Sequence, residues 1–474
     1  MVKIEEKYFF DKIRLTEEEM SRLLSIALEK GGEFSELFIE YRFNNSVTIE
    51  EDIVKSSSRT ISLGAGIRVI NGEQTGYAFT NDLSFERLKK VALTAGSIAK
   101  SGTSNPIANL TKPVFQNQYY TYDNLVTELN LDKKISLVRS AYDSALNYDK
   151  RIVKVSSTLA DEVQFVLICN SFGKYVTDIR PQTRLIVVST AQENQNRDTG
   201  FHNSGGRVGV DFFETEKKPE EIGRLASEEA INLLSAGDSP AGEMTVVLGG
   251  GESGVLIHEA VGHPLEADGA WKKTSIMSDK LGEMVANPKV TIYDDATIPK
   301  YRGSLNIDDE GTETEPVLLI ENGKLVAYMN DLLSSKILNH KPNGHGRRES
   351  YRFSPIPRMN NTVLEKGDSS PDDIIKSVKK GFYAKSFQGG MVNSTGKFTF
   401  SVNLGYLIED GKLTKPVKNA TLIGSNFEIL QNIDMIGNDT GFFLGTCGKD
   451  GQSVPVTCGT PTVRISKMTV GGKL

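Results

Sequence analysis

Cysteine is scarce in this chain, with three residues among 474, Cys169, Cys447 and Cys458. An odd set of three suggests no disulfide framework. It points to a reducing compartment, where a spare thiolate can serve as a metal ligand. No apolar run approaches membrane-spanning length, and the opening Met1-Val-Lys-Ile-Glu-Glu-Lys7 has no signal-peptide segment. The expectation is a cytoplasmic protein without a membrane partner. Positive charge is not in excess either. The net charge is −6 and the isoelectric point about 5.7, which argues against nucleic acid as a direct partner.

With 38% hydrophobic and 24% charged residues, the composition is that of a folded globular protein. A chain of 474 residues exceeds one ordinary core. Two domains are expected, 1–236 and 243–474, parted by the turn-rich segment 237–242.

The first half lacks a catalytic constellation, and its patterning is that of an α+β layer. Thr16-Glu-Glu-Glu19 is a capping box, followed by the stripe Met20, Leu23, Leu24, Ala27 and Leu28. Strands are expected at 37–41, 46–50 and 66–70, with a hairpin at Asn71-Gly72. Helices from about Ser84 and from Asp132 flank a loop from Ser101 to Asn124. Further strands at 152–158, 163–169, 174–178 and 183–190 imply a long antiparallel sheet, and a helix over 219–236 closes the half. Cys169 sits in an apolar run and reads as a buried structural thiol, His202 as a solvated loop residue. This half is expected to shape a cleft and a subunit interface.

The second half is strand-rich, with a barrel-like or sandwich core. Strands are expected at 290–293, at 317–320 with 325–328 around Asn322-Gly323, and around Asp410-Gly411. Short helices are expected at 371–379 and 425–432. The strand 244–248 runs through Gly249-Gly250-Gly251 into a helix carrying His258, Glu259 and His263. Two imidazoles flanking a carboxylate are how many zinc hydrolases begin their site, the Glu being free to act as a base. Five-residue spacing places two side chains about 140° apart on an ordinary helix, too wide for one ion. A π-bulge would bring them back to one face. Gly262 tolerates such a turn, and Pro264 biases His263 out of the helix.

Zinc in a catalytic site takes three protein ligands, and the third is open at this stage: Glu266, Asp268, Glu310, Cys447 or Cys458. Asp294-Asp295 reads as a second cation site or, more simply, as surface or helix-capping carboxylates. Arg347, Arg348 and Tyr351 suit either a substrate carboxylate or oxyanion, or ion pairs with Asp308, Asp309 and Glu310 that pin loops.

Six motifs together resemble the TldD/PmbA family of cytoplasmic metallopeptidases, in its metal-binding TldD type. They are His258-Glu-Ala-Val-Gly-His263, Arg302-Gly-Ser304, Asp308-Asp-Glu-Gly-Thr312, Gly346-Arg-Arg-Glu-Ser-Tyr351, Pro357-Arg-Met-Asn-Asn-Thr362 and the stretch from Cys447 to Val456. The resemblance implies an α+β protein of two domains, the C-terminal one barrel-like. It implies one zinc per chain on His258, His263 and Cys447, with Glu259 as general base. His345, Arg348 and Tyr351 are the candidates for contacting substrate or an oxyanion. The family relationship also implies unfolded or leader peptides as substrates, and a related subunit lacking the His-Glu-His motif, or a second copy, as partner. Two other classes stay open, a non-catalytic or regulatory subunit with a structural metal and a regulator that binds a DNA enzyme directly, and an amidohydrolase of small molecules is the chemical runner-up.

Overall fold

The computed structural model describes residues 11–99, 105–113, 118–120, 130–393 and 395–472; the connecting segment expected at 101–124 lies in part outside them. Helix α1 (Glu17–Ala27) begins at the expected capping box. Thr16 Oγ1 accepts from the Glu19 amide at 3.1 Å, and the Thr16 amide donates to Glu19 Oε2 at 2.8 Å. The alternating apolar positions that follow build β1 (Phe34–Glu50), β2 (Ile53–Asn71) and β3 (Gln74–Thr80). After α2 (Phe85–Ile98) and α3 (Leu131–Leu146) come β4 (Ile152–Asn170), β5 (Tyr175–Glu193) and β6 (Asn196–Gly206), then α4 (Pro219–Leu234). The six strands form one antiparallel sheet in the order β3-β2-β1-β4-β5-β6. Helices α1 and α2 cover one end of it with an apolar core around Leu23, Leu88 and Leu167, while α3 and α4 cover the other around Val138, Leu185 and Ala226.

Pairs of short strands expected from the sequence are single long ones here. Residues 37–41 and 46–50 belong to one strand, as do 152–158 and 163–169. The polar residues that look like breaks are satisfied across the sheet: Asn45 Nδ2 donates to Asp161 Oδ1 at 2.8 Å, and Lys134 Nζ to Asp161 Oδ2 at 2.7 Å. The β1–β2 turn is made by Glu51 and Asp52, both at positive φ (52° and 63°), a hairpin geometry usually taken by Asn-Gly. Cys169 is fully buried, as expected. His202 is not a solvated loop residue; it lies half-buried on β6, and burial pushes its pKa down to about 4.

In the second half, β7 (Gly242–Leu248) is followed by β8 (Ile292–Asp295), β9 (Pro316–Glu321), β10 (Lys324–Leu325) and β11 (Asn361–Leu364). Then come β12 (Lys380–Val392), β13 (Lys397–Glu409), β14 (Lys412–Ser425), β15 (Ile433–Ile436), β16 (Gly441–Lys449), β17 (Gln452–Thr460) and β18 (Val463–Gly471). Strands β7, β12, β13, β14 and β18 pair in a closed circuit, a five-stranded barrel. A second sheet runs β10-β9-β8-β11-β17-β16. The expected strand 325–328 shortens to Lys324–Leu325, and the two short helices to Pro371–Lys376 and Asn426–Asn432.

The six-stranded sheet is tied to the second half by buried ion pairs. Arg68 bridges Glu36 (2.9 Å) and Glu310 (2.7 Å), Arg348 meets Glu36, and Arg180 meets Asp309. Arg348 also lies over the Phe38 ring at 4.2 Å, and Tyr351 packs with Phe38, Val166, Ile168, Val176 and Ile307. Removing one partner leaves buried guanidinium charge uncompensated. Glu36→Ala is expected to cost on the order of 3 kcal/mol, read from the shift of the urea unfolding midpoint.

Candidate metal centre

Strand β7 ends in a glycine turn in which Gly251 adopts φ +92°, a conformation that excludes ordinary side chains. One α-turn, Gly254–Ile257, leads into a π-helical turn, His258–Gly262, and then a 3-10 turn, His263–Leu265. The His263 amide donates to the His258 carbonyl, five residues back. That bond places the two imidazoles on one face, as the spacing requires. Their ring centroids are 5.0 Å apart at 79°. Gly262 serves by its lack of bulk: a Cβ there would lie 1.8 Å from Met359 Sδ.

Cys447 arrives from β16, its Sγ 3.4 Å from His263 Nε2. The ligand atoms of His258, His263 and Cys447 all lie within 4.8 Å of one another. Glu259 is half-buried and faces the same cleft, a cavity of about 880 Å³. Burial raises the Glu259 pKa, while the two imidazoles oppose the rise. Burial would also push the Cys447 thiol up, but His258 and His263 outweigh it and bring it down to about 5. The same coupling raises His258 and His263, so the thiolate is balanced by imidazolium protons that a bound metal would release. His258 Nδ1 is buried with no hydrogen-bond partner among the described residues. Two imidazoles and a thiolate form a donor set that fits zinc, with room for water as the remaining ligand.

Glu266 is not in this group. It accepts from His263 Nδ1 at 3.0 Å, which leaves Nε2 facing Cys447, and it is held by Lys449 (3.1 Å) and Arg358 (3.7 Å). Against the cost of burial, Lys449 and His263 keep its carboxyl down at about 2. A carboxylate that orients a ligating imidazole in this way fixes its tautomer. The signal for this was the spacing of His263 and Glu266, three residues apart across one turn. Arg358, which donates to the Cys447 carbonyl at 2.6 Å, stands in the Pro357–Thr362 motif, which by itself assigned it no role. Asp268 pairs with Lys449, Glu310 with Arg68, and Cys458 is buried beside His258 outside the ligand group.

The other three expected site residues lie away from the cleft. Both ring nitrogens of His345 are occupied, Nε2 with Asp294 Oδ1 (3.0 Å) and Nδ1 with Asn343. Asp294 is itself fully buried, accepting from Thr362 Oγ1 at 2.7 Å, so it is neither a surface carboxylate nor a helix cap. Arg348 and Tyr351 belong to the buried junction with the six-stranded sheet. The loop-pinning alternative describes their geometry.

Family models for the PmbA/TldA metallopeptidases match three successive segments: domain 1 at residues 35–99, the central domain at 124–234 and the C-terminal domain at 241–472. The chain is 40% identical over 469 residues to the metalloprotease TldD homolog of Haemophilus influenzae, covering 97% of each. It belongs to the TldD/PmbA family. A zinc metalloprotease TldD homolog of Saccharolobus solfataricus is 27% identical, with 96% of this chain and all of that protein covered. Among solved structures, a Thermotoga maritima protein described as a candidate modulator of a DNA gyrase superposes with a TM-score of 0.78 at 25% identity, over 96% of this chain and all of that one. TldE from Thermococcus kodakarensis shares the fold at TM-score 0.76 and 20% identity, with 96% of this chain and all of that one covered. Metalloprotease relatives imply a bound metal.

Metal content of the purified protein tests the ligand set. Wild type and Glu259→Gln are expected to hold about one ion per chain, Cys458→Ser to keep it and Cys447→Ser to lose it. Retention by Cys447→Ser would remove the thiol from the site. A second test concerns Glu252, at the glycine turn, whose carboxyl is raised to about 8 by burial and by Glu229, against the Phe387 amide and Lys385. Its folded-state pKa lies above the unfolded value of 4.5, so its contribution to stability is full below pH 4.5 and is lost as pH rises through about 8. Glu252→Gln is therefore expected to gain stability on wild type between pH 5 and 9 in denaturant titrations; parallel pH profiles would contradict the raised pKa.

Proposed function

We propose that this chain is a zinc-dependent peptidase of the cytoplasm that cleaves unfolded or leader peptides, with one ion on His258, His263 and Cys447. The observation that carries the reading is the convergence of two imidazoles and a thiol of lowered pKa beside a half-buried carboxylate in an open cleft. The name of the Saccharolobus solfataricus relative agrees with zinc. The chemistry such an ion supplies when bound is Lewis acidity toward water and a peptide carbonyl.

The chain's own groups perform the rest. Glu259 accepts the proton of the attacking water at its carboxylate and delivers it to the leaving amine. A raised pKa suits a carboxyl group that must both take and give a proton. Glu266 holds His263 in one tautomer, and Lys449 holds Glu266. Beside the cleft, β12 runs beyond Ala384, where its pairing with β7 ends, and β16 is the outermost strand of its sheet. Strand edges without a neighbouring strand suit an extended peptide and recognise it with little sequence preference.

Two domains meeting at residues 237–242 belong to this proposal, supported by apolar cores that separate on either side of the junction. So does a partner subunit, either a family chain without the His-Glu-His motif or a second copy; the shared fold of TldE supports it. Direct nucleic-acid binding is not part of the reading, given the net charge of −6.

Glu259→Gln is expected to keep its metal and to lose about 10²–10⁴-fold in hydrolysis of an unstructured fluorogenic peptide. Unchanged turnover would sink the assignment of Glu259 as base.

A further inference from the structure

A second cavity, of about 170 Å³, shares Thr446 with the metal cleft. Its walls carry six arginines and only three carboxylates, Glu162, Asp309 and Glu349. Three of the arginines have acidic partners: Arg42 with Glu40 and Glu162, Arg180 with Asp178 and Asp309, and Arg348 with Glu36. The other three have none within 4 Å among the described residues. Arg207 donates to the Ser304 carbonyl at 2.7 Å, Arg302 to the Gly445 carbonyl at 3.2 Å and Thr446 Oγ1 at 3.3 Å, and Arg347 to the Met359 carbonyl and the Pro455 carbonyl (2.8 Å).

Carbonyl dipoles do not neutralise a buried guanidinium, and burial accordingly pulls Arg302 and Arg347 down to about 9. An independent observation points the same way. Gln182 lines the cavity, is 8% exposed, and its Nε2 has no acceptor among the described residues. Arg42 Nε and Arg348 Nε are likewise buried without partners among them. Every buried side-chain atom on these walls left unsatisfied by the described residues is thus a donor. Ion pairing within the protein accounts for half of the arginines and for none of these donors.

We propose that this cavity binds a carboxylate, that of a peptide substrate lying in the adjacent metal cleft, through Arg302, Arg207 and Gln182. Thr446, on the outermost strand β16, lines both cavities. The cavity therefore takes an acidic side chain or a terminal carboxylate that reaches past this edge strand from the cleft. This substrate assignment rests on the peptidase reading, whereas the capacity to bind an oxyanion does not.

Inorganic phosphate is the probe, titrated into the full-length protein at constant ionic strength against chloride and followed by calorimetry and thermal unfolding. Wild type is expected to bind it saturably and to melt higher in its presence. Gln182→Glu replaces an orphan amide by a carboxylate of the same shape among the arginines. It is expected to melt higher than wild type in chloride and to bind phosphate at least about tenfold more weakly. Should that variant not fold, Arg302→Gln provides the same comparison of phosphate affinity.

Absence of saturable binding in wild type, or phosphate affinity unchanged by the substitution, overturns the site; the latter places the anion at the metal ligands instead. For the substrate, peptides differing only as acid and amide, Glu against Gln or a free against an amidated C-terminus, are compared by kcat/KM. Wild type is expected to favour the acid by about tenfold, a preference that Gln182→Glu abolishes. Equal turnover of acid and amide by wild type overturns the substrate assignment and leaves a free anion as the ligand. If no peptide is cleaved at all, the peptidase reading fails by itself, because the phosphate titration is independent of turnover.

Discussion

One backbone hydrogen bond sets the geometry of the candidate metal centre: the His263 amide reaches the His258 carbonyl, five residues away. An ordinary helix would bond that carbonyl one residue earlier and swing the second imidazole off the face of the first. The π turn costs regularity, and the surrounding chain is shaped to accept it. The glycine run before it frees the entry, Pro264 ends it, and a 3-10 turn carries the strain out toward Glu266. Burial of Leu256, Ile257, Ala260 and Val261 fixes the turn against the barrel, so the rings are placed by packing as well as by the bond.

The five-residue spacing alone made the π turn legible, because only one hydrogen-bonding pattern reconciles it with a shared ligand. Cys447 was a candidate among five until the resemblance singled it out, since a residue brought in by a strand nearly 190 residues later leaves no local trace. The structure separates it from Glu266, Asp268 and Glu310 through their partners: each of those carboxylates already has a cation. His345, Arg348 and Tyr351 illustrate the opposite failure. Polar residues in a loop read as functional when their partners are distant in sequence, and theirs are Asp294, Glu36 and Phe38.

Element types were legible wherever periodicity was clean, as in α1 and the barrel strands. Strand lengths were not. Polar interruptions in β1 and β4 looked like turns because the sequence gives no sign of the facing residue that satisfies them, Asp161 opposite Asn45 among them. The same blindness hid the buried role of Asp294, which holds together an imidazole, a threonine and a backbone amide at once.

Gly262 and Met359 share a single volume: the sulfur of one fills the place where the other would carry its first side-chain carbon. The Met359 carbonyl in turn receives Arg347, one of the unpaired guanidiniums. Position 262 is therefore not free to vary on its own. A methyl group there must displace the thioether or shift the loop residue that bears it, which lies between the histidine turn and the arginine-lined cavity. One missing carbon atom thus links the packing of the histidine turn to the residue whose carbonyl holds Arg347.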